Sequence, residues 1–354
     1  LLFYYICRKI NRYQRNIDRI MKQFFKNVAA TIVGIFGFGI IMVILAVITL
    51  IGMMCNSSKT PSLKDNSVMV MKLQGQISDQ ANDDWLGQLT GNQYNNLGMN
   101  NILSAIKKAK QEDKVKGIYL ETGILSTDYA TLQEIRNALA DFKKSGKWII
   151  AYGDAMTQGC YYLASVANKL YINPEGSVDW HGLASQPMFL KDLYAKFGVK
   201  YTVVKVGKFK SFTEQYTEDK MSDANREQVQ SFVGSIWQQV CKDVAASRRL
   251  AVDSLNAYAD RYTTFADPKQ YVATRLVDSL TYDDGVRQVL RACSKQDKVN
   301  FIDPAQLAKL DVAPTSGDGA IAVYYAEGDI VDEAAHTNFS GEMSQIVGSK
   351  VVAD

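Results

Sequence analysis

The chain has 354 residues, 47% hydrophobic and 22% charged, with 24 Gly and 6 Pro, which excludes wholesale disorder, a collagen-like repeat and a disulfide-knit miniprotein. Its net charge of +3 is unevenly spread: residues 1–26 hold Arg8, Lys9, Arg12, Arg15, Arg19, Lys22 and Lys26 against Asp18 alone, so the other 328 residues sum to −3. A basic body built to hold nucleic acid therefore has no support.

From Asn27 to Ser58 there is no charged residue, and Val28 to Cys55 is nearly all apolar. A bilayer core needs about 20 apolar residues in a helix, and a buried core helix is rarely apolar on every face for so long. The basic flank precedes the run, so the positive-inside rule leaves the amino end in the cytoplasm and exports the body. Met53 and Met54 before Cys55 fit a lipoprotein cleavage site poorly, and an uncleaved anchor is the expectation. Met21 opens MKQFFKN, a natural start for such an anchor, with residues 1–20 then standing upstream of it. The predicted plan begins with a basic cytoplasmic flank (1–26), a transmembrane anchor (27–55) and a polar linker (56–66) containing Pro61.

Alternating strands and amphipathic helices follow. SVMVMKL (67–73) reads as a strand, Ile102, Ala105, Ile106 and Ala109 fall at helical spacing, and GIYLE (117–121) reads as a second strand. Leu132, Ile135, Leu139 and Phe142 make one apolar helix face, capped by Thr127 or Asp128. WIIAY (148–152) and KLYIN (169–173) are strands around a small-residue helix at 158–167. A helix near 187–197, a strand YTVVKV (201–206) and a long helix from about Ser222 to Ser247 complete the series. This alternation predicts an α/β domain with a mostly parallel sheet and crossover helices.

VMVMKLQGQISD (68–79) aligns with IAVYYAEGDIVD (321–332) at an offset of 253, matching Gly75, Ile77 and Asp79 with Gly328, Ile330 and Asp332. Both are an apolar strand running into Gly-x-Ile-x-Asp. The expected organisation is a first repeat at 67–300, a connector at 301–318 and the start of a cut-off second repeat at 319–354.

Cys7, Cys55, Cys160, Cys241 and Cys293 form no CxxC pair, and with only His181 and His336 there is no zinc pattern. Mostly buried free thiols are expected. Neither histidine stands near a Gly-x-Ser-x-Gly elbow, and neither GxGxxG nor GxxxxGK[ST] occurs, so no nucleotide cofactor is implied. The informative stretch is KVGKFKSFTEQYTEDKMSDANRE (205–227), where Lys205, Lys208 and Lys210 cluster at the end of the predicted strand. Lysines there are ordinarily solvated. One that turns inward and loses its proton becomes a general base able to activate a serine.

Residues 153–186 and 203–228 closely resemble the long, two-repeat form of the signal peptide peptidase A (protease IV) family, a likeness running from about residue 67 to the end. The resemblance implies a Clp-protease/crotonase-like fold and a Ser–Lys dyad. The family lysine lies in Gly, any residue, aromatic, Lys, Ser, which stands here as Gly207-Lys208-Phe209-Lys210-Ser211 and gives the role to Lys210. The family serine lies in a Pro-Gly-Gly-Ser loop of the second repeat, and no such motif occurs in these residues. The first repeat's own loop, Thr122 to Thr127, lacks the paired glycines an oxyanion site needs, so Ser126 reads as a residue leading into a helix. Gln158 to Tyr162 looks like the family's Gly-Tyr-Tyr helix, for which close helix–sheet packing is as good a reading as a catalytic one.

The resemblance further implies a bacterial inner-membrane serine endopeptidase with a periplasmic body, degrading cleaved signal peptides as a homotetramer, without cofactor or metal. This chain alone is expected to be inactive. Two other readings stand beside it: a catalytically inactive membrane scaffold of the same fold, and a crotonase-type acyl-CoA enzyme, against which an exported location argues.

Overall fold

The computed structural model describes residues 2–57, 63–78, 97–261, 263–308, 310, 329–331 and 345–347. The chain splits into two units, Leu1–Leu310 and Asp311–Asp354. The first begins with α1 (Leu2–Ser57), a continuous helix whose stretch Met21–Thr49 is long and apolar enough to cross a membrane. Its 29 residues rise about 1.5 Å each, more than the ~30 Å of a hydrocarbon core.

The body is a parallel sheet. Strands β1 (Ser67–Ser78), β2 (Leu97–Gly98), β3 (Val115–Ser126), β4 (Trp148–Met156), β5 (Lys169–Val178) and β6 (Ser279–Leu280) run in the order β2-β1-β3-β4-β5-β6. A short β7 (Asn300–Ile302) pairs with the start of β1, and every described pairing is parallel. Parallel strands are covered on both faces, which is why they read as apolar runs rather than strict alternations. Ile118 and Leu120 of β3 and Ile149 and Ala151 of β4 enter the main core. Their neighbours Tyr119, Ile150 and Tyr152, with Val68 of β1, face a smaller cluster closed by Val286 and Leu290. Those two residues lie on α10 (Asp283–Ser294).

The main face is covered by α2 (Met99–Gln111), α3 (Tyr129–Lys143) and α4 (Gln158–Ala164), with α5 (Lys191–Lys196) and α6 (Glu214–Thr217) as short outer turns. After them come the 26-residue α7 (Asp223–Arg248), α8 (Val252–Asp260) and α9 (Pro268–Ala273); a short α11 (Pro304–Ala308) follows β7. The predicted apolar face of α3 is buried at Leu132, Ile135, Leu139 and Phe142. Of its two candidate caps, Asp128 takes the role, accepting the Thr131 N–H at 2.9 Å, while Thr127 Oγ donates to the Ile77 carbonyl. The helix expected at 158–167 ends at Ala164 and closes on its small residues: a Cβ on Gly159 would stand 2.9 Å from Leu132, which favours the packing reading of the Gly-Tyr-Tyr motif. Cys160 and Cys241 are buried free thiols and Cys293 an exposed one.

Asp278 ties two of these elements together, accepting from the Leu170 N–H at 2.7 Å and from Arg248 Nη1 at 3.1 Å. Partial burial on its own raises the carboxyl pKa, but the bonds from Arg248 and Leu170 outweigh it and hold it below the usual carboxylate range. A depressed native pKa gives stability that is full above the unfolded value of about 4 and is lost as pH falls through the native one. Asp278→Asn is expected to cost about 1–3 kcal/mol at neutral pH. In urea unfolding repeated from pH 7 down to pH 2, the gap between variant and parent should shrink below about pH 4.

The predicted strand at 201–206 is not one. Residues 201–206 are coil, with Val204 95% and Val206 87% exposed. An isolated β-prone run has no ladder to join, and no described strand lies beside this one. In the second unit, β8 (Asp329–Val331) and β9 (Gln345–Val347) form a parallel pair. The repeat's matched strand at 321–328 lies outside the described residues.

Candidate active site

Lys210 is carried by a turn between the 201–206 coil and α6. Gly207 has φ +90°, a left-handed conformation that costs glycine nothing and reverses the chain just before the lysines. The Ser211 N–H donates to the Phe209 carbonyl at 3.1 Å, and the Glu214 N–H to the Ser211 carbonyl at 3.0 Å. The turn therefore runs directly into α6. Around it, Tyr194 of α5, Tyr201 and Tyr216 of α6 pack with ring centroids 5.0, 5.0 and 5.9 Å apart. The Leu190 N–H donates to the Gln215 carbonyl at 2.6 Å, joining the start of α5 to α6.

The three lysines of the stretch are sorted by their partners. Lys205 Nζ lies 4.0 Å from Glu214 Oε1. Lys208 Nζ lies over the Phe209 ring, 4.6 Å from its centroid, where the quadrupole attracts a cation. Lys210 makes neither kind of contact with a described residue, is exposed, and lines an open concavity with Val203, Val204, Phe209, Phe212 and Gln228. Lys208 and Lys210 are two apart, so strand alternation would put them on the same side; their partners separate them where periodicity does not.

Glu214 was not singled out in the sequence, although it is buried and accepts hydrogen bonds from the Ser222 N-cap of α7. The only available signal was its place a short distance before a Ser-Asp-x-Asn cap. Burial alone raises its carboxyl pKa, but bonds from Ser222 and Asn225 and the Lys205 ammonium outweigh burial and hold it below the usual range.

Ser126 is the last residue of β3, paired in register with Gln76 of β1. The stretch Thr122 to Thr127, read as a loop in the sequence, is instead strand as far as Ser126 and drawn into the ladder. His181 does not form a triad: Nε2 lies 3.2 Å from Asp179 Oδ2 and Nδ1 2.9 Å from the Gly182 carbonyl. Both ring nitrogens thus face oxygen atoms of their own turn, and no described serine hydroxyl is hydrogen-bonded to either. Its turn is held by Gln158 Oε1, which accepts the His181 and Gly182 N–H groups at 2.9 Å each. His336 lies outside the described residues.

Residues 141–297, from the end of α3 through α10 and including the lysine turn, match peptidase family S49. The chain is 33% identical over 252 residues to Protease 4 of Salmonella typhi, covering 68% of this chain and 41% of that protein. It is 27% identical over 325 residues to Protease 4 of Haemophilus influenzae, covering 84% and 52%. The chloroplastic serine protease SPPA of Arabidopsis thaliana is 27% identical over 277 residues, covering 76% and 39%. The chain thus spans about half the length, or less, of these relatives. Among solved structures, a membrane-bound stomatin-specific protease overlaps 64% of this chain and 86% of its own, with a TM-score of 0.34 and 12% identity. The family match and the curated relatives agree: the chain carries a peptidase family S49 domain and is related to proteases of the Protease 4 and SppA type.

Proposed function

We propose that this chain is the base-bearing part of a membrane-anchored serine endopeptidase with a Ser–Lys dyad. The observation that carries the reading is that Lys210 stands at the lysine position of Gly207-Lys208-Phe209-Lys210-Ser211 and is the one of three neighbouring lysines left unengaged among the described residues. The neutral amine takes the proton of a serine hydroxyl as the oxygen attacks the peptide carbonyl, then returns it to the leaving amine. The resulting acyl-enzyme is hydrolysed by a water that the same amine deprotonates. The serine comes from outside these residues, after the second copy of β3, near residue ~380 by the repeat offset. Val204, Val206, Phe209 and Phe212 stand exposed around the lysine, and covering them with the serine-bearing part would exclude water from the amine.

In this reading residues 67–300 are the first repeat, 301–318 the connector and 319–354 the start of the second, following the flank at 1–26, anchor at 27–55 and linker at 56–66. The substrates are signal peptides left in the membrane, the assembly is a homotetramer, and the body faces the periplasm. Lys210→Ala in the full-length protein is the central test. Two further outcomes are expected. Residues 1–354 purified alone should not cleave an unfolded protein or a peptide ester; activity that survives and disappears on Ser126→Ala would place the serine in the first repeat. In inside-out vesicles, protease added outside should leave the region after Lys59 intact, whereas in spheroplasts it should be degraded; the reverse pattern overturns the orientation.

A further inference from the structure

Between Leu183 and Ala224 every residue is half-buried or exposed except Glu214. A carboxylate is a rare choice for the sole buried residue of a long segment, because the ion loses its hydration unless hydrogen bonds replace it. Here they do. Ser222 Oγ donates to Oε1 at 2.6 Å, and the Ser222 N–H and Asn225 Nδ2 donate to Oε2 at 3.2 and 3.0 Å. All three donors stand at the amino end of α7, where a negative charge is also favoured by the helix dipole. Ser222 Oγ in turn accepts the Asn225 N–H at 3.2 Å, so one hydroxyl relays the carboxylate into the helix cap. On its other side, the Glu214 N–H is bonded to Ser211, and Oε1 faces Lys205.

We propose that Glu214 is the positioning residue for Lys210. It pins the Gly207–Ser211 turn to the end of a 26-residue helix and keeps Lys205 engaged, so that Lys210 is the amine left free. The inference rests on Lys210 being the general base. Glu214 does not reach the reacting atoms; it acts through the geometry of the turn and through its charge beside the lysines. Removing that charge takes away the partner of Lys205 and adds net positive charge to the segment that carries Lys210.

The test uses the full-length protein with Glu214→Gln, which keeps the length and an acceptor for Ser222 but no charge. Glu214→Asp, which keeps the charge on a shorter arm, and Lys210→Ala are made alongside. Steady-state kinetics on an unfolded protein substrate are followed against pH, with amide hydrogen exchange over 205–216 and over the distal half of α7. Glu214→Gln is expected to lower kcat about tenfold or more with KM changed less than about twofold. Its rising limb of kcat should move to lower pH, and exchange should accelerate in 205–216 while distal α7 is unchanged. Glu214→Asp should return the limb to the parent position. Parent-like kcat and exchange in Glu214→Gln, with Lys210→Ala inactive, overturn this inference alone. An unmoved limb with faster exchange throughout α7 also overturns it, since that is the signature of general loss of stability. Near-normal turnover in Lys210→Ala sinks the base assignment and this inference with it.

Discussion

Lys210→Ala in the full-length protein is expected to lower turnover on the order of 10²-fold or more, because the proton of the attacking hydroxyl then has no acceptor. Folding and assembly should be unaffected, since Lys210 is exposed and contributes no described ion pair or hydrogen bond from its side chain. Lys208→Ala removes a cation lying over Phe209 on the surface and should change turnover less than about threefold. Parent turnover should rise with pH, because only the neutral amine accepts a proton. Kinetics of the three single lysine variants decide the matter: if Lys210→Ala works near-normally while Lys208→Ala or Lys205→Ala is dead, the base is elsewhere.

Trp180→Ala should produce the largest loss of stability, about 3–5 kcal/mol, by deleting the biggest fully buried side chain of the body. The indole packs edge-on to Tyr161 of α4 at 5.5 Å and tilted against Trp237 of α7 at 4.9 Å, and Nε1 donates to the Leu255 carbonyl of α8 at 2.9 Å. It therefore joins the end of β5 to the helices on which the lysine segment is anchored. A second tie, buried Arg136 of α3, donates to the carbonyls of Tyr162 and Asp243 and to the hydroxyls of Ser165 and Ser247. Because that clamp holds the end of α7 through Asp243 and Ser247, Trp180→Ala should loosen α8 before the sheet unfolds. Urea unfolding followed by near-ultraviolet circular dichroism measures the loss. A change below about 1 kcal/mol would mean the site collapses around the deletion and carries little of the packing.

Strands β1, β3, β4 and β5 and the helices α2, α3 and α4 were legible because each has a local signature, whereas the two-residue β2 has none. Parallel strands buried on both faces read as apolar runs, and α3 and α7 carry both helical spacing and an Asx or Ser cap. The membrane run and its basic flank are likewise local, since length and charge decide them. The 201–206 segment shows where this logic stops. Its tyrosine, threonine and three valines have the composition of a strand, but a strand exists only when another offers its hydrogen bonds, and the sheet ends elsewhere.

The same division runs through the site. The sequence by itself determined the α/β alternation, the apolar run long enough to cross a membrane, the lysine motif and the family resemblance, all of which depend on residue order over short spans. Only the tertiary structure decided which lysine is engaged and which is free, that Ser126 is drawn into the β1–β3 ladder, and that Glu214 is buried against the cap of α7. Those outcomes depend on which groups lose water together and which find a partner across a long stretch of chain. The burial of a polar group and its pairing with groups far along the chain are properties of the packed molecule, and no local pattern encodes them.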